Sequence, residues 1–410
     1  MKSSCVRFRK VFEMLDRYAW LDEDYERLEK QALTRQIRSV DAVLGDRGAW
    51  IRVEGKTLLN LSSNNYLGLA HDARLKAAAM EAIELWGTGA TASRLVTGSC
   101  ALYTELEQRL AAWKEREAAL VFASGYQANA GVISALVGRG DAVFSDRLNH
   151  ASIVDGIVQS RAEHYRYRHN DPEHLAYLLE KHKGARRKLI VTDTVFSMDG
   201  DTALLPDLVG LRARYGALLM VDEAHAGGVL GERGEGLCHA LGLHREIDVI
   251  MGTFSKAFGA YGGYICADHS VVRYLATKSR PLIYSTALPP AVIASVLTAL
   301  TIVMKDAERR KSLQAKAKWL RERLASYGFS VGEGDTPIIP LIIGDNEKTL
   351  RYSRKLEEMG IAAVAIRPPT VPAGTSRIRL TVMATHTWAE LEWAADQLQS
   401  IRADLEGGIG

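Results

Sequence analysis

The sequence has few cysteines, and they form no group. Its 410 residues include only four, which lie far apart: Cys5, Cys100, Cys238 and Cys266. None of them belongs to a Cys-x-x-Cys pair or to a Cys/His cluster with the spacing of a zinc site. We therefore expect no metal site, and we expect reduced, mostly buried thiols of the kind found in cytosolic proteins.

Long apolar runs are also missing. No uninterrupted apolar segment reaches the length of about 18 residues that a membrane-spanning helix requires. Near the N-terminus, Glu13, Asp16 and Asp22 appear before any apolar core of signal-peptide length. These absences predict a soluble, cytoplasmic protein without a membrane partner.

Charge of one sign is not in excess. Lys and Arg number 52 against 49 Asp and Glu, a formal net charge of +3, and no long block of one sign occurs. A nucleic-acid-binding arm would need such a block, so no nucleic-acid partner is expected. The ordinary globular composition and the length predict two or three domains, at roughly 150 residues each.

Short apolar segments alternate with helix-length amphipathic segments between residues 73 and 300. The strand candidates are "ALVFAS", "DAVFSD", "KLIVTDTVF", "ALLMVDEA", "DVIMGTF" and "GGYICAD". Strands that alternate with helices indicate a mostly parallel sheet covered on both faces. The fold class is therefore α/β.

The regions on either side have different patterns. Residues 12–48 are predicted to form one or two helices, and "WIRVEGKTLLNL" a hairpin around "EGK". After residue 300 come a long helix, three strand candidates and a closing helix. We predict an N-terminal arm and hairpin over 1–62, a large α/β domain over 63–300 and a smaller α+β domain over 301–410.

Polar residues follow the predicted strands directly. In a parallel sheet the carboxyl ends of the strands meet at one edge, where ligands bind. We expect the residues at these ends to share a site: Gly125, Tyr126, Gln127, His150, Ser197, Glu223, His225 and Lys256.

Lys256 stands in "GTFSKAFGAYGG", after a strand and among small residues. Most lysines are exposed, so this lysine alone would indicate only a surface position. Burial at a strand end lowers a lysine's pKa and favours the free amine that condenses with a carbonyl group. Lys256 is therefore a candidate nucleophile.

Asp222 ends the apolar run "ALLMVD", so its carboxylate is expected at the end of a buried strand. An unpaired buried charge is costly and needs a partner. A protonated pyridine nitrogen is such a partner, and His225 is close enough to reach a ring hydroxyl. Capping of the next helix is the alternative role for Asp222.

The segment "ASGYQANAGVISAL" places a glycine turn before a helix, where free N–H groups favour a phosphate. Thr253 and Ser255 add hydroxyl groups beside Lys256, and His150 supplies a ring that can stack on the cofactor. Together these residues predict a site for pyridoxal 5'-phosphate (PLP).

With "VDEAHAGGVLG" and "GTFSKAFGAYGG", the sequence resembles the α-oxoamine synthase family of fold-type I PLP enzymes. "SSNNYLGLA", "DRLNHASIVDG", "VFSMDGD" and "IYSTALPPA" match the family in order, so the resemblance covers residues 35–400. It implies the fold-type I transferase fold and a condensation of an amino acid with an acyl thioester that releases CO2.

The resemblance also implies residue roles. Lys256 would hold PLP as a Schiff base and act as general base, Asp222 would pair with the pyridinium, and His150 would stack on the ring and touch substrate. The remaining cofactor contacts would come from Ser124, Gly125, Tyr126, Ser197, His225 and Thr253. "IYSTALPP" would supply Ser285 and Thr286 from a neighbouring subunit, which predicts a homodimer with shared active sites.

The substrates are inferred from the same resemblance. Segment 363–387, with "IRPPTVPAGTSRIRLT", is typical of the family member that joins L-alanine to a pimeloyl thioester, either pimeloyl-CoA or pimeloyl-acyl-carrier protein. Arg379, helped by Asn64, is the first candidate for the alanine carboxylate, because a guanidinium matches a carboxylate geometrically. Arg367 and Arg377 are its competitors, and the positions of Arg38 and Thr370 contact the acyl substrate in the family.

Several alternatives stay open. Glycine could replace alanine as the donor, and a PLP aminotransferase or decarboxylase is a second class. The joint presence of Lys256, Asp222, His225 and His150 argues against a non-enzymatic relative. Asp193 stands where many relatives carry a Glu, which leaves its hydrogen-bonding role open.

Overall fold

The computed structural model describes residues 17–406. The described part of the N-terminal arm contains helix α1 (Ala19–Lys30), followed by three antiparallel strands, β1 (Val40–Leu44), β2 (Trp50–Val53) and β3 (Lys56–Asn60). The hairpin predicted around "EGK" joins β2 to β3 and is confirmed. The helical prediction for 12–48 is wrong at β1, because pairing with β2 determines its conformation rather than local propensity. Residues 12–16 of that prediction lie outside the described residues.

The central sheet has seven strands. They are β4 (Ala118–Phe122), β5 (Ala142–Asp146), β6 (Glu163–Tyr167), β7 (Lys188–Asp193), β8 (Leu218–Asp222), β9 (Val249–Thr253) and β10 (Gly263–Ala267). Their order is β4-β10-β9-β8-β7-β5-β6, and only β10 runs antiparallel to its neighbours. The predicted mostly parallel sheet is therefore confirmed. The sequence did not reveal β6, because this edge strand, "EHYRY", is largely unburied and has no apolar run.

Helices cover both faces of this sheet. They are α2 (Ala73–Trp86), α3 (Ala101–Trp113), α4 (Gly125–Leu136), α5 (Ala151–Ser160), α6 (Pro172–Lys181), α7 (Leu205–Tyr215), α8 (Leu237–Ala240), α9 (His269–Lys278), α10 (Arg280–Ile283) and α11 (Pro290–Lys305). Successive residues of β7 point to opposite faces, so Ile190 joins one apolar core and Leu189 and Val191 join the other. Burial on both faces explains the continuous apolar runs of the strands.

The C-terminal part contains α12 (Ala307–Ser326), β11 (Ile338–Gly344), α13 (Asn346–Glu358), β12 (Ile361–Ala362), β13 (Val364–Ile366), β14 (Ser376–Thr381) and α14 (Trp388–Glu406). Strands β11, β14 and β13 form a small antiparallel sheet, whereas β12 pairs with β3 of the arm. The arm and the C-terminal part therefore share a sheet. The domain bounds at 62/63 and 300/301 stay predictions.

Two further sequence expectations concern cysteines and membrane spans. Cys100, Cys238 and Cys266 are free thiols, and Cys5 lies outside the described residues. Within residues 17–406, no single helix is both long and apolar enough to cross a membrane. By length and composition only the pair α11 and α12 would qualify together, and the two helices meet at a bend of 76°.

A buried ion pair lies behind the carboxyl edge of the central sheet. Lys114 Nζ is 2.5 Å from Glu223 Oε2, and both side chains are fully buried. Burial alone would lower the pKa of Lys114, but the Glu223 carboxylate raises it above its ordinary value. Glu223 Oε1 also accepts the Cys238 backbone N–H at 2.9 Å. Because Glu223 directly follows Asp222, this pair anchors the loop after β8.

Replacing Lys114 with Met should destabilise the protein by about 3–5 kcal/mol, because the Glu223 carboxylate would stay buried without a counter-charge. Urea titration measures the free energy of unfolding. Lys311→Met is the matched control: its pair with Glu308 is exposed, and its loss should cost less than about 1 kcal/mol. Equal losses in the two variants would contradict a structural role for the buried pair.

Candidate active site

The carboxyl ends of the central strands surround one cavity of about 200 Å³. Its walls include all the predicted cofactor contacts except Ser285 and Thr286, namely Ser124, Gly125, Tyr126, His150, Ser197, Asp222, His225, Thr253 and Lys256. Five further residues complete the lining: Ser152, Asp193, Ala224, Met251 and Ser255. Strand order brings these distant positions together, as expected for a parallel sheet.

Asp222 provides a buried carboxylate in this cavity. It is the last residue of β8 and only 3% exposed. One oxygen accepts the amide of Asn129 at 2.7 Å, and the other accepts the backbone N–H of Ala224 at 2.8 Å. Neither donor carries a positive charge, so the carboxylate can still pair with a cationic group of a ligand.

Lys256 and His225 both line the cavity and contact each other. The Nζ atom of Lys256 lies 2.8 Å from His225 Nε2. Burial, together with the positive charge of Arg379, lowers the pKa of Lys256 to about 8, although Asp222 and Asp193 act in the opposite direction. Lys256 is therefore uncharged near neutral pH far more often than an ordinary lysine, and the uncharged amine is the form that reacts with an aldehyde.

His150 begins helix α5 and is held by two neighbours. Its backbone N–H donates to Asp193 Oδ2 at 2.7 Å, and its Nδ1 atom lies 2.8 Å from Ser152 Oγ. Burial lowers the pKa of His150, which favours the neutral ring. The shorter Asp193 side chain thus reaches the backbone of His150, and burial together with Asp222 raises the pKa of Asp193 well above its ordinary value.

The start of helix α4 forms a cradle of backbone amides. Ser124 Oγ accepts the Gln127 N–H at 3.2 Å, which leaves the amides of Gly125 and Tyr126 without a partner inside the helix. A Cβ atom on Gly263 would lie 2.6 Å from the Gly125 nitrogen, so β10 packs against this turn too closely for any side chain. Thr253 lines the same end of the cavity.

These groups fit PLP. The cofactor combines an aldehyde, a phosphate and a pyridine nitrogen that is protonated when a carboxylate faces it. The cavity offers a chemical partner for each one: the Lys256 amine, the amides at the start of α4, and the Asp222 carboxylate that has no cationic partner in its hydrogen bonds.

Arg379 connects the cavity to the small C-terminal sheet. Its Nε atom donates to the Ser197 carbonyl at 2.6 Å, and Nη2 donates to Asn64 Oδ1 at 3.1 Å. Arg379 is only 7% exposed, and its guanidinium has no carboxylate partner among its hydrogen bonds to described residues. Arg379 and Asn64 therefore lie together, as the sequence predicted, and can bind a small carboxylate.

The two competing arginines have other partners. Arg377 pairs with Asp199, and Arg367 donates to the backbone carbonyls of Ala32 and Thr34, which fixes the arm. None of the three arginines lines the cavity, but only Arg379 lies close enough to Lys256 and His225 for its charge to lower the pKa of both. This geometry favours Arg379 for the carboxylate.

The remaining predicted residues lie outside the cavity. Arg38 pairs with Glu54 and Glu357 beside a separate cavity of about 350 Å³. The Thr370 hydroxyl accepts from Arg35 at 3.3 Å and lines another cavity of about 240 Å³. Ser285, which is half-buried, and Thr286, which is exposed, do not line the cavity of their own chain.

Sequence reasoning missed two residues that shape the site. Asn129 donates to both Asp222 and Ser152 from within α4. Tyr66 is fully buried, and its hydroxyl lies 2.5 Å from His225 Nδ1. A buried Asn among the small residues of "GYQANAGV" was an available signal for the first. Tyr66 stands in the matched "SSNNYLGLA" segment, but nothing local to that segment indicates contact with a histidine 159 positions away.

The fold and this cavity define a fold-type I PLP-dependent transferase, with PLP as its cofactor. The chain belongs to the aminotransferase class I and II family, whose sequence pattern matches residues 56–398. Within this family it is a PLP-dependent acyltransferase.

Curated relatives support this assignment. A protein of Bacillus cereus (strain Q1), provisionally named 8-amino-7-oxononanoate synthase, is 51% identical over 387 residues, which cover 94% of this chain and 98% of the relative. A relative of the same provisional name from Bacillus cereus (strain B4264) is 53% identical over 372 residues, covering 90% of this chain and 94% of the relative.

Solved structures agree on the fold. A serine palmitoyltransferase from S. paucimobilis, solved with PLP and myriocin bound, is 33% identical, with a TM-score of 0.90 and coverage of 96% of this chain and 100% of that one. An 8-amino-7-oxononanoate synthase from Francisella tularensis is 26% identical, with a TM-score of 0.74 and coverage of 85% and 98%.

Proposed function

We propose that this protein joins L-alanine to a pimeloyl thioester, carried by CoA or by acyl-carrier protein. The products are 8-amino-7-oxononanoate, CO2 and the free thiol carrier, as biotin biosynthesis requires. The observation that carries this proposal is the grouping of the Lys256 amine and the Asp222 carboxylate in one cavity, with the Arg379 guanidinium beside them. Neither Asp222 nor Arg379 has an oppositely charged partner among its hydrogen bonds to described residues. The names of the relatives support the choice of substrates.

We assign the cofactor contacts as follows. Lys256 would hold PLP through its amine, Asp222 would pair with the ring nitrogen, and His225 and Ser197 would contact the ring oxygen. The phosphate would be bound by Ser124, Gly125, Tyr126 and Thr253. When bound, PLP supplies an electron-accepting ring that stabilises negative charge on the carbon next to the amino group of the substrate.

The protein side chains then perform the remaining work. Arg379 and Asn64 bind the carboxylate of alanine, and His150 covers the site and contacts substrate. The amino group of alanine would first displace the Lys256 amine from the cofactor. The freed Lys256 Nζ would then remove the Cα proton of alanine as general base, a task suited to a lysine whose pKa is lowered to about 8. The deprotonated carbon would attack the thioester carbonyl, and the C–S bond would break so that the carrier leaves as a thiolate, which takes up a proton. The resulting β-keto acid would lose CO2, and the carbon left with the electron pair would take back a proton, which the protonated Lys256 can supply.

Arg38 and Thr370 are proposed contacts of the acyl substrate. Arg38 is hydrogen-bonded to the carboxylates of Glu54 and Glu357. The hydrogen bonds that Glu357 accepts from Arg38 and Lys56 lower the pKa of its carboxyl to about 2, although burial acts in the opposite direction. A substrate carboxylate would therefore have to compete with two carboxylates for this guanidinium.

The proposed reaction is tested with the purified protein and its Lys256→Ala variant. We expect CO2 release and 8-amino-7-oxononanoate from L-alanine with pimeloyl-CoA, and a loss of at least about 10²-fold in rate in the variant. Reduction of the PLP-bound protein with borohydride should attach the cofactor mass to the peptide that contains Lys256. Activity with glycine and acetyl-CoA but not with alanine would overturn the choice of substrates.

Arg379→Ala should raise the KM for L-alanine by about 10- to 100-fold, because a charge-assisted pair with the substrate carboxylate is lost. Steady-state kinetics at saturating thioester measures this value. Arg367→Ala is the control, since Arg367 binds the backbone of the arm. If Arg367→Ala raised the KM for L-alanine more than Arg379→Ala, Arg367 rather than Arg379 would be the residue that binds the carboxylate.

We also propose a homodimer with shared active sites. Segment 92–98 lies next to Thr286, because the backbones of Ser93 and Thr286 form an isolated antiparallel β-bridge. It exposes large apolar side chains, among them Leu95 and Val96, and Tyr284 is exposed nearby. Exposed apolar clusters of this kind mark association surfaces. A second chain seated here would bring Ser285 and Thr286 to its partner's phosphate.

Val96→Asp should shift the protein from dimer to monomer in analytical ultracentrifugation and weaken PLP binding, because a charge would enter an apolar contact. Val158→Asp is the matched control, since Val158 is similarly exposed on α5. A fully active monomer, or a Val96→Asp dimer that binds PLP normally, would refute the shared site.

A further inference from the structure

Tyr66 is a fully buried tyrosine without a role in the reaction proposed above. Its hydroxyl oxygen lies 2.5 Å from His225 Nδ1, and His225 Nε2 lies 2.8 Å from Lys256 Nζ. The three side chains therefore form a continuous hydrogen-bonded chain that ends at the reactive amine.

The direction of the first hydrogen bond follows from the neighbours of Tyr66. A tyrosine hydroxyl has one hydrogen to donate. Its other possible acceptor, Asn64 Oδ1, is 3.4 Å away and already accepts from Arg379 Nη2 at 3.1 Å. The same Arg379 nitrogen donates to the tyrosine oxygen at 3.4 Å. An amide oxygen can accept a second hydrogen bond, so distance decides between the two acceptors: at 2.5 Å against 3.4 Å, His225 Nδ1 is the nearer one, and we infer that it takes the tyrosine hydrogen.

This direction sets the state of His225. Burial, the largest cause, holds the pKa of His225 well below its ordinary value whether or not Lys256 is charged, so the ring is neutral and carries one N–H. Since Nδ1 accepts from Tyr66, the hydrogen must lie on Nε2. An Nε2–H group donates to Lys256 Nζ only when the lysine is an uncharged amine.

We propose that Tyr66 is a positioning residue: it fixes the Nε2–H tautomer of His225 and thereby favours the uncharged amine of Lys256. This inference rests on the proposed function, in which Lys256 is the reactive lysine. In the opposite tautomer, Nε2 would accept a hydrogen bond from a lysine ammonium and stabilise the charged form. Loss of the tyrosine hydroxyl should therefore raise the pKa of Lys256.

Other groups also act on Lys256, and the test must leave them in place. The titratable or charged side chains that face it come from five elements or loops: Asp193 of β7, Asp222 of β8, Arg379 of β14, His150 at the start of α5 and His225 after β8. Tyr66→Phe removes one hydroxyl group and leaves these five charged or titratable side chains unchanged. A change in the pKa of Lys256 in this variant would therefore report the hydrogen-bonded chain.

The experiment uses the full chain without added PLP, labelled with ¹⁵N-histidine and ¹³Cε-lysine. In the unaltered protein, the ¹⁵N shifts of His225, assigned with His225→Gln, should show the Nε2–H tautomer. In Tyr66→Phe, the pKa of Lys256 should rise from about 8 by about one pH unit. Tyr103→Phe is the matched control: Tyr103 is equally buried, but its hydroxyl accepts from the Leu288 backbone, so Lys256 should not change.

An Nδ1–H tautomer in the unaltered protein, or an unchanged pKa of Lys256 in folded Tyr66→Phe, would overturn the inference. If Tyr66→Phe does not fold, the tautomer of the unaltered protein decides alone. Visible absorbance after addition of PLP distinguishes a failure of the proposed function from a failure of the role of Tyr66. A protein that does not bind PLP at Lys256 refutes the proposed function, whereas normal PLP binding with the Nδ1–H tautomer refutes only the role of Tyr66.

Discussion

The site depends on two buried carboxylates that lie side by side at the edge of the central sheet. Strands β7 and β8 pair in parallel with Asp193 opposite Asp222. Two negative charges this close in a poorly solvated place repel each other, so they cannot both remain charged at low cost. Burial and the neighbouring Asp222 raise the pKa of Asp193 well above its ordinary value, which favours the protonated form of Asp193. Asp193 Oδ2 accepts the His150 backbone N–H, whereas Asp222 accepts only uncharged donors and can pair with a cationic ligand.

Support from behind the sheet keeps this arrangement fixed. The loop that follows Asp222 contains Glu223, whose carboxylate is tied to Lys114 and to the Cys238 backbone, and His225, which faces Lys256. A buried ion pair adds little stability compared with apolar side chains in the same place, because both charges lose their hydration. Each charge nevertheless needs the other, so the pair restricts the positions that the loop can adopt. The positions of Asp222 and His225 are therefore coupled to packing on the far side of the strand.

The sequence allowed much of this to be predicted, for physical reasons. Continuous apolar runs identified six of the seven central strands, and the rule that ligands bind at carboxyl strand ends identified Asp222, His225 and Lys256. Strand β6 was missed because an exposed edge strand has no apolar signal, and β1 because pairing rather than propensity determines it. The roles of Tyr66 and Lys114 could not be predicted, since each depends on a contact with a residue more than 100 positions away in the sequence.

Contacts between the arm and the C-terminal part also join residues far apart in the sequence, so sequence patterns could not predict them. Strand β12 completes the sheet of the arm, and Arg367, a candidate substrate ligand in sequence, binds the arm backbone. Arg379, two strand positions from Arg377, instead points its guanidinium at Ser197 and Asn64. Residues of similar chemistry in one short segment thus acquire different tasks through the partners that folding gives them. For that reason the choice among the three arginines needed the structure, although the sequence had already named all of them.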